Sequence, residues 1–288
     1  MTRPSPVDRV RARVERSAGA AAADWVPEGY QRLGAVVVVK LPEAARGAFG
    51  SIGAAYQAEI GVRTVLRRRG PIVGAWRTPD LEVIAGDGTR TEVREHGIRY
   101  RLDAARLMFA EGNREERRRA GAATRAGETV ADLFAGIGYF TLPAAVVGRA
   151  ARVYACEANP VSFEYLVENA RINRVADRVT PLFGDNRAAP IPTGSVDRVF
   201  LGLLPSSIGY IGRALDLLRP DGGWIHAHLV TGSRAAVTAA ETEVRSAIER
   251  AGGQVLSVHG REVKPYGPGK AHVVVEGRVR PPFAAAAS

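Results

Sequence analysis

The chain has 288 residues, 46% of them apolar, which is enough for one large domain or two modest ones with substantial cores. No apolar run approaches the ~20 residues of a membrane span, and the Arg- and Ala-rich N-terminus lacks the apolar stretch of a secretory signal. A cytoplasmic protein is therefore expected, and the single cysteine, Cys156, rules out an internal disulfide and a multi-cysteine metal site.

The formal charge of +10 is unevenly placed, with 23 basic and 15 acidic residues before position 126 and 17 and 15 after it. A basic front half joined to a near-neutral second half suits an enzyme acting on a polyanion. The preponderance of Arg and Ala is also what GC-rich coding sequence imposes.

Residues 1–25 read as a helix or arm, with Val10, Val14 and a run of alanines. An apolar strand follows at 34–41, then small and apolar residues at helical spacing over 49–60, weakened by Gly53. Arg67, Arg68 and Arg69 precede Gly70-Pro71 in a basic turn, which is either a phosphate contact without sequence readout or a solvated loop. Strand-like pieces at 81–84, 91–93 and 95–103 complete a small basic α+β unit on the substrate side, expected over residues 1–120. At its end Asn113 is placed to cap a helix carrying Glu115 and Glu116 in its first turn. Arg114, Arg117, Arg118 and Arg119 surround that helix, so only one or two of them can face a ligand.

From Thr129 the rhythm becomes strand, helix, strand, helix, with strands near 130–134, 152–157, 179–184, 197–203 and 223–229. Such a pattern predicts a mostly parallel sheet covered on both faces. Strands at 254–263 and 271–279, joined by a Pro/Gly-rich connection, must pair antiparallel and form an edge hairpin. Residues 121–288 thus read as a Rossmann-like α/β domain with seven strands. Cys156 sits inside an apolar strand and reads as a small buried hydrophobe.

The chemistry centres on Asp132-x-Phe134-x-Gly136-x-Gly138, where a short strand breaks into a glycine turn and restarts as a helix. Thr141 stands where a dinucleotide fingerprint would need its third glycine. The acid in front of the glycines makes the stretch resemble motif I of class I S-adenosylmethionine (SAM) enzymes. Glu157, about 20 residues on at the tip of the next strand, suits ribose hydroxyls. Asn159 and Pro160 form a helix start, and Gly184-Asp185 closes the third strand.

Five blocks keep order and spacing: Met108-Phe109 with Gly112-Asn113 and Glu116-Arg117; the Asp132 to Gly138 motif; Glu157 to Pro160; Gly184-Asp185; and Tyr266 to Val275. Over residues 70–280 they resemble the SAM-dependent enzymes that modify the guanine beside the tRNA anticodon. That family comprises N1-methyltransferases and the aminocarboxypropyl transferases of wybutosine synthesis. The methyltransferase branch carries an Asn-Leu-Pro type motif after the fourth strand. This chain reads Leu201-Gly202-Leu203-Leu204-Pro205-Ser206 and has no Asn there, which is similar to the aminocarboxypropyl branch.

The resemblance implies SAM as donor and a transfer that requires no metal, with SAM held by Asp132, Glu157 and Asp185 on its adenosine half and Phe134, Gly136, Gly138 and Asn159 around it. It implies Pro205 and Ser206 on the acceptor side, and Arg117 and Asn113 for the methionine carboxylate or the acceptor. His226 and His228 point to one face of their strand and are expected as hydrogen-bonded core residues. The acceptor is either a wybutosine-type guanosine in tRNA or a small phenolic metabolite, as in nocardicin-like β-lactam antibiotic biosynthesis. A tRNA guanine-N1 methyltransferase and a non-catalytic RNA-binding protein with a SAM fold are the rival readings. A monomer or weak dimer without membrane contact is expected.

Overall fold

The computed structural model describes residues 4–72, 74, 76–232 and 235–282. They form two compact units, one ending at Phe109 and one beginning at Ala110, each with its own apolar core.

In the first unit, helix α1 (Pro6–Ala18) opens with a reciprocal cap. The Ser5 hydroxyl accepts from the Asp8 N–H, and the Asp8 carboxylate accepts from the Ser5 N–H. Val10 and Val14, four apart and so on one face, are its buried stripe. A single turn, α2 (Ala20–Ala23), follows. Strands β1 (Gln31–Leu33), β2 (Val36–Lys40), β3 (Thr64–Arg68) and β4 (Leu81–Ala85) lie side by side in that order. Only β2 and β3 are parallel, because helix α3 (Phe49–Tyr56) carries the chain back between them. The helix expected over 49–60 loses its α-pattern after Tyr56 and passes into a wider turn over 57–61, which Gly61 ends at a φ of +69°. Strands β5 (Arg90–Glu95) and β6 (Ile98–Asp103) form a separate antiparallel hairpin, with β6 alternating buried and half-buried residues.

In the second unit, helix α4 (Arg114–Ala123) precedes a seven-stranded sheet. Its strands are β7 (Thr129–Asp132), β8 (Arg152–Glu157), β9 (Val179–Phe183), β10 (Arg198–Leu201), β11 (Gly223–Gly232), β12 (Gln254–Gly267) and β13 (Lys270–Arg280). The spatial order is β12-β13-β11-β10-β7-β8-β9. The five strands from β11 to β9 are parallel, and the β12–β13 hairpin is antiparallel, as the sequence pattern predicts. Helices α5 (Thr141–Val146), α6 (Pro160–Ile172), α7 (Ile211–Leu217) and α8 (Ala236–Arg250) lie between the strands. All four residues of β10 are buried, as expected of a strand covered on both faces.

From β7 the chain steps outward through β8 and β9, then returns to add β10 and β11 on the other side. Strand order therefore reverses between β7 and β10, and ligands of open α/β sheets sit beyond the carboxyl ends of strands at such a point.

Two local expectations change. The hairpin is longer than its Pro/Gly content suggests: β12 runs on to Gly267, absorbing Pro265 where its register slips, which an edge strand tolerates. Asn113 occupies the position before α4 but its side chain makes no capping bond. Its backbone, at φ −100° and ψ 8°, continues a tight turn and is not extended as a cap requires. Cys156 is buried in β8, where desolvation pushes its thiol up to about 12. No helix among the described residues is long and apolar enough to cross a membrane.

Candidate active site

The loop after β7 is built around two carboxylates. Asp132 is fully buried. Its Oδ2 accepts from the Thr141 N–H (3.0 Å) and hydroxyl (2.7 Å), and its Oδ1 from the Phe134 N–H (3.3 Å). Burial outweighs these donors and pushes its pKa up to about 6. The side chain therefore lies beneath the loop, pinning it to the first turn of α5.

Above it the backbone turns through Gly136 at φ +57° and Gly138 at φ +105°. A Cβ at Gly136 would stand 2.6 Å from the Tyr139 ring, and one at Gly138 would stand 2.8 Å from Leu142, so both the angles and the space require glycine.

Glu157, at the carboxyl end of β8, closes the loop. Its Oε2 accepts from the Gly136 N–H and its Oε1 from the Asn159 N–H, each at 2.7 Å. Burial raises its pKa. Asn159 in turn caps α6, its Oδ1 accepting from the Val161 N–H at 2.9 Å, with Pro160 at the first helical position. From inside α6, the Asn169 amide donates back to the Ile137 carbonyl.

At the end of β9, Asp185 is exposed and chelated by the Arg187 guanidinium, which holds its carboxyl below the usual range. The next residue, Asn186, is buried and donates its amide N–H to the Leu133 carbonyl at 2.8 Å. Its Oδ1 has no hydrogen-bond partner among the described residues.

The segment after β10 bends over the same end of the sheet. Gly202 stands against the Phe140 ring, leaving no room for a Cβ. The Leu204–Pro205 bond is cis. The Pro205 carbonyl accepts from the Val230 N–H at 2.8 Å, and the buried Ser207 hydroxyl both donates to the His228 carbonyl and accepts from the His228 N–H. Ser206 between them stays exposed, its hydroxyl accepting from the Ile208 N–H. Tyr210 then meets the Phe134 ring edge-on at 4.7 Å.

On α4, the buried Arg117 donates to the Ala110 carbonyl at 3.1 Å, with its guanidinium 6.0 Å from the Tyr139 ring centroid. Asn113, one turn earlier, has a buried Oδ1 without a hydrogen-bond partner among the described residues. Arg118 and Arg119 both pair with Glu115.

His226 and His228 face one side of β11, as the spacing requires. His226 Nε2 is 2.6 Å from Arg198, itself doubly bonded to Glu128, and His228 Nδ1 is 3.0 Å from His272. Burial lowers both pKa values, that of His228 to about 3, so these are neutral core histidines.

Hydrogen bonds thus join Phe134 to Asp132, and Gly136 and Asn159 to Glu157; Gly138 lies in the same turn with its N–H donating to the Ala135 carbonyl, and Arg117 approaches the turn through Tyr139. Among the described residues Asp185 joins them through its neighbours Asn186 and Arg187, the latter 5.8 Å from the Tyr210 ring. Asn186 and Tyr210 take part without having been singled out in the sequence, and Thr141, noted there only as the absent third glycine, is a donor to Asp132. Asn186 is flagged only by its place beside Asp185, whereas the contacts of Thr141 and Tyr210 are tertiary.

Residues 91–256 match the TRM5/TYW2 methyltransferase domain, and residues 11–89 match the TYW2 N-terminal domain. The chain is 35% identical over 254 residues to the Pyrococcus horikoshii tRNA(Phe) (4-demethylwyosine(37)-C(7)) aminocarboxypropyltransferase, spanning 88% of this chain and 90% of that enzyme. It is 38% identical over 266 residues to the Arabidopsis thaliana tRNA wybutosine-synthesizing protein 2/3/4, spanning 89% of this chain and 27% of that protein. Among solved structures, P. horikoshii TYW2 in complex with MeSAdo superposes with a TM-score of 0.84 at 31% identity, over 95% of this chain and 99% of that one. Trm5b from Pyrococcus abyssi gives 0.75 at 29% identity, over 89% and 76%. The chain belongs to the TRM5/TYW2 family.

Proposed function

We propose that the protein is a SAM-dependent 3-amino-3-carboxypropyl transferase acting on the modified guanine at position 37 of tRNA(Phe), in wybutosine synthesis. One observation carries the reading. Likeness to the Pyrococcus transferase runs through both units, and the first unit matches the TYW2 N-terminal domain. The same likeness favours tRNA over a small phenolic acceptor. The Gly202 to Ser206 stretch, without the Asn of the methyltransferase branch, supports transfer of the longer group.

The residues present fit the donor. Glu157 stands at the rim of the glycine loop, where its carboxylate can accept from ribose hydroxyls, and glycine at 136 and 138 lets that loop turn tightly against Tyr139 and Leu142. Asp132 acts from below as a positioning residue. Phe134 and Tyr210 offer an aromatic wall, and Asp185 with Asn186 lies on the adenine side. The unpartnered Oδ1 atoms of Asn113 and Asn186 are acceptors suited to an ammonium or amino group. Arg117 suits the methionine carboxylate, and Pro205 with Ser206 forms the acceptor side.

In the reaction, the acceptor carbon displaces sulfur from the γ-carbon of the methionine chain, methylthioadenosine leaves, and the acceptor carbon loses its proton. What the chain contributes is alignment, holding the γ-carbon and not the methyl group in line with the nucleophile. The enzyme is expected to work in the cytoplasm as a monomer or weak dimer.

The test is mass spectrometry of a reaction with SAM and tRNA(Phe) carrying the wybutosine precursor. Methylthioadenosine together with a nucleoside heavier by one aminocarboxypropyl group is the expected outcome. S-adenosylhomocysteine with a methylated guanosine would instead make the protein a methyltransferase.

A further inference from the structure

Strands β2 and β3 end in a pair of cations. Lys40 and Arg68 are register partners on adjacent parallel strands, so their side chains leave the same face about 4.8 Å apart. Opposite Arg68 on the next strand stands Leu81, which offers no charge. Neither Lys40 nor Arg68 has an ion pair or side-chain hydrogen bond among the described residues.

Their neighbours are different. Arg67 points to the other face, where Glu43, Glu82 and the Leu41 carbonyl hold it over the Phe49 ring. Arg69 is chelated by Asp80, and Arg46 pairs with Glu43 and Glu82. Every acid of this neighbourhood is thus spent on another arginine, leaving Lys40 and Arg68 side by side and uncompensated. Like charges directly across a strand pair are destabilising. Here they line an open cavity of about 340 Å³ completed by Leu41, Pro42, Arg69 and Gly70.

We infer that this cavity is a phosphate-binding site, and that its occupant is a backbone phosphate of the tRNA. The inference rests on the tRNA reading above and adds to it a docking point in the first unit, outside the SAM seat. Phosphate contacts by Lys and Arg fix register and orientation and carry no base readout. A single anchored phosphate is therefore what a pair of cations on strand ends can supply.

The test uses the full chain with Lys40→Gln and Arg68→Gln, singly and together. Binding of tRNA(Phe) is measured by anisotropy across a salt series, alongside SAM affinity and thermal melting. The double variant should bind tRNA about tenfold more weakly, with a log–log salt slope shallower by about 1 to 2. SAM affinity should be unchanged, and melting temperature should be equal to or above wild type because a repulsion has been removed. Wild-type affinity and slope in the double variant would overturn the site. So would weaker RNA binding accompanied by a lower melting temperature in all three variants, which would assign the pair to structure. A wild type that does not bind tRNA refutes the functional reading separately. In that case the phosphate site survives only if inorganic phosphate raises the melting temperature of the wild type and not of the double variant, and it falls if phosphate affects neither.

Discussion

Replacing Asp132 by asparagine should make the protein gain stability relative to the wild type as pH rises. Asp132 is buried without a cation beside it, and desolvation raises its pKa from 3.8 to about 6 despite three donors. A carboxyl group raised in this way is protonated more readily folded than unfolded. Its contribution is therefore most favourable below the unfolded pKa, declines as pH climbs through the interval up to about 6, and stays at its full penalty above. At about 1.36 kcal/mol per pKa unit the penalty reaches about 3 kcal/mol at neutral pH, of which about 2 accrues between pH ~4.5 and ~7.5. Asparagine carries no such penalty, but turns an N–H toward the Thr141 amide, an offset of about 1–3 kcal/mol that does not vary with pH. Urea denaturation of both proteins at the two pH values isolates the titrating part, because other groups cancel in the difference. A difference independent of pH would refute the argument. One that moves against the variant as pH rises would mean that the hydrogen bonds to Thr141 and Phe134 outweigh burial.

Other outcomes follow from the same geometry. Glu157→Ala, which frees the Gly136 and Asn159 amides, should weaken SAM binding at least tenfold by calorimetry; an unchanged affinity would remove Glu157 from the donor site. Gly136→Ala forces a non-glycine residue to φ +57° and places a Cβ 2.6 Å from Tyr139, so it should cost about 1–2 kcal/mol of stability in denaturant melts as well as affinity for SAM. Arg261→Gln deprives the buried Glu116 of its ion pair and should destabilise by about 3 kcal/mol. Adding Glu116→Gln should restore most of that loss, and strictly additive losses in the cycle would show the two side chains to be independent.

Much of the second unit was legible because its signals are local. An apolar strand, an acid and two glycines specify a turn by backbone sterics alone, and Asn159-Pro160 specifies a helix start in the same way. The shortness of the Pro/Gly connection dictated an antiparallel hairpin. Its true length was hidden because pairing with β11 extends β13 to Lys270 and carries β12 past Pro265. Asn113 was misread as a cap because composition does not reveal whether the preceding residue is extended or already turning. The burial of Asp132, and with it the role of Thr141, also escaped: nine residues apart, they meet only because the loop folds back over the strand. Lys40 and Arg68 lie 28 positions apart, and only the parallel register of β2 and β3 makes them neighbours.

The Glu157 carboxylate bridges the loop after β7 and the start of α6. One side chain thus ties the turn between a strand and its helix to the start of the next helix, so that the two segments hold each other's position and loss of the carboxylate would loosen both. If the loop seats the donor as proposed, a turn braced in this way has less conformational freedom to lose when it binds.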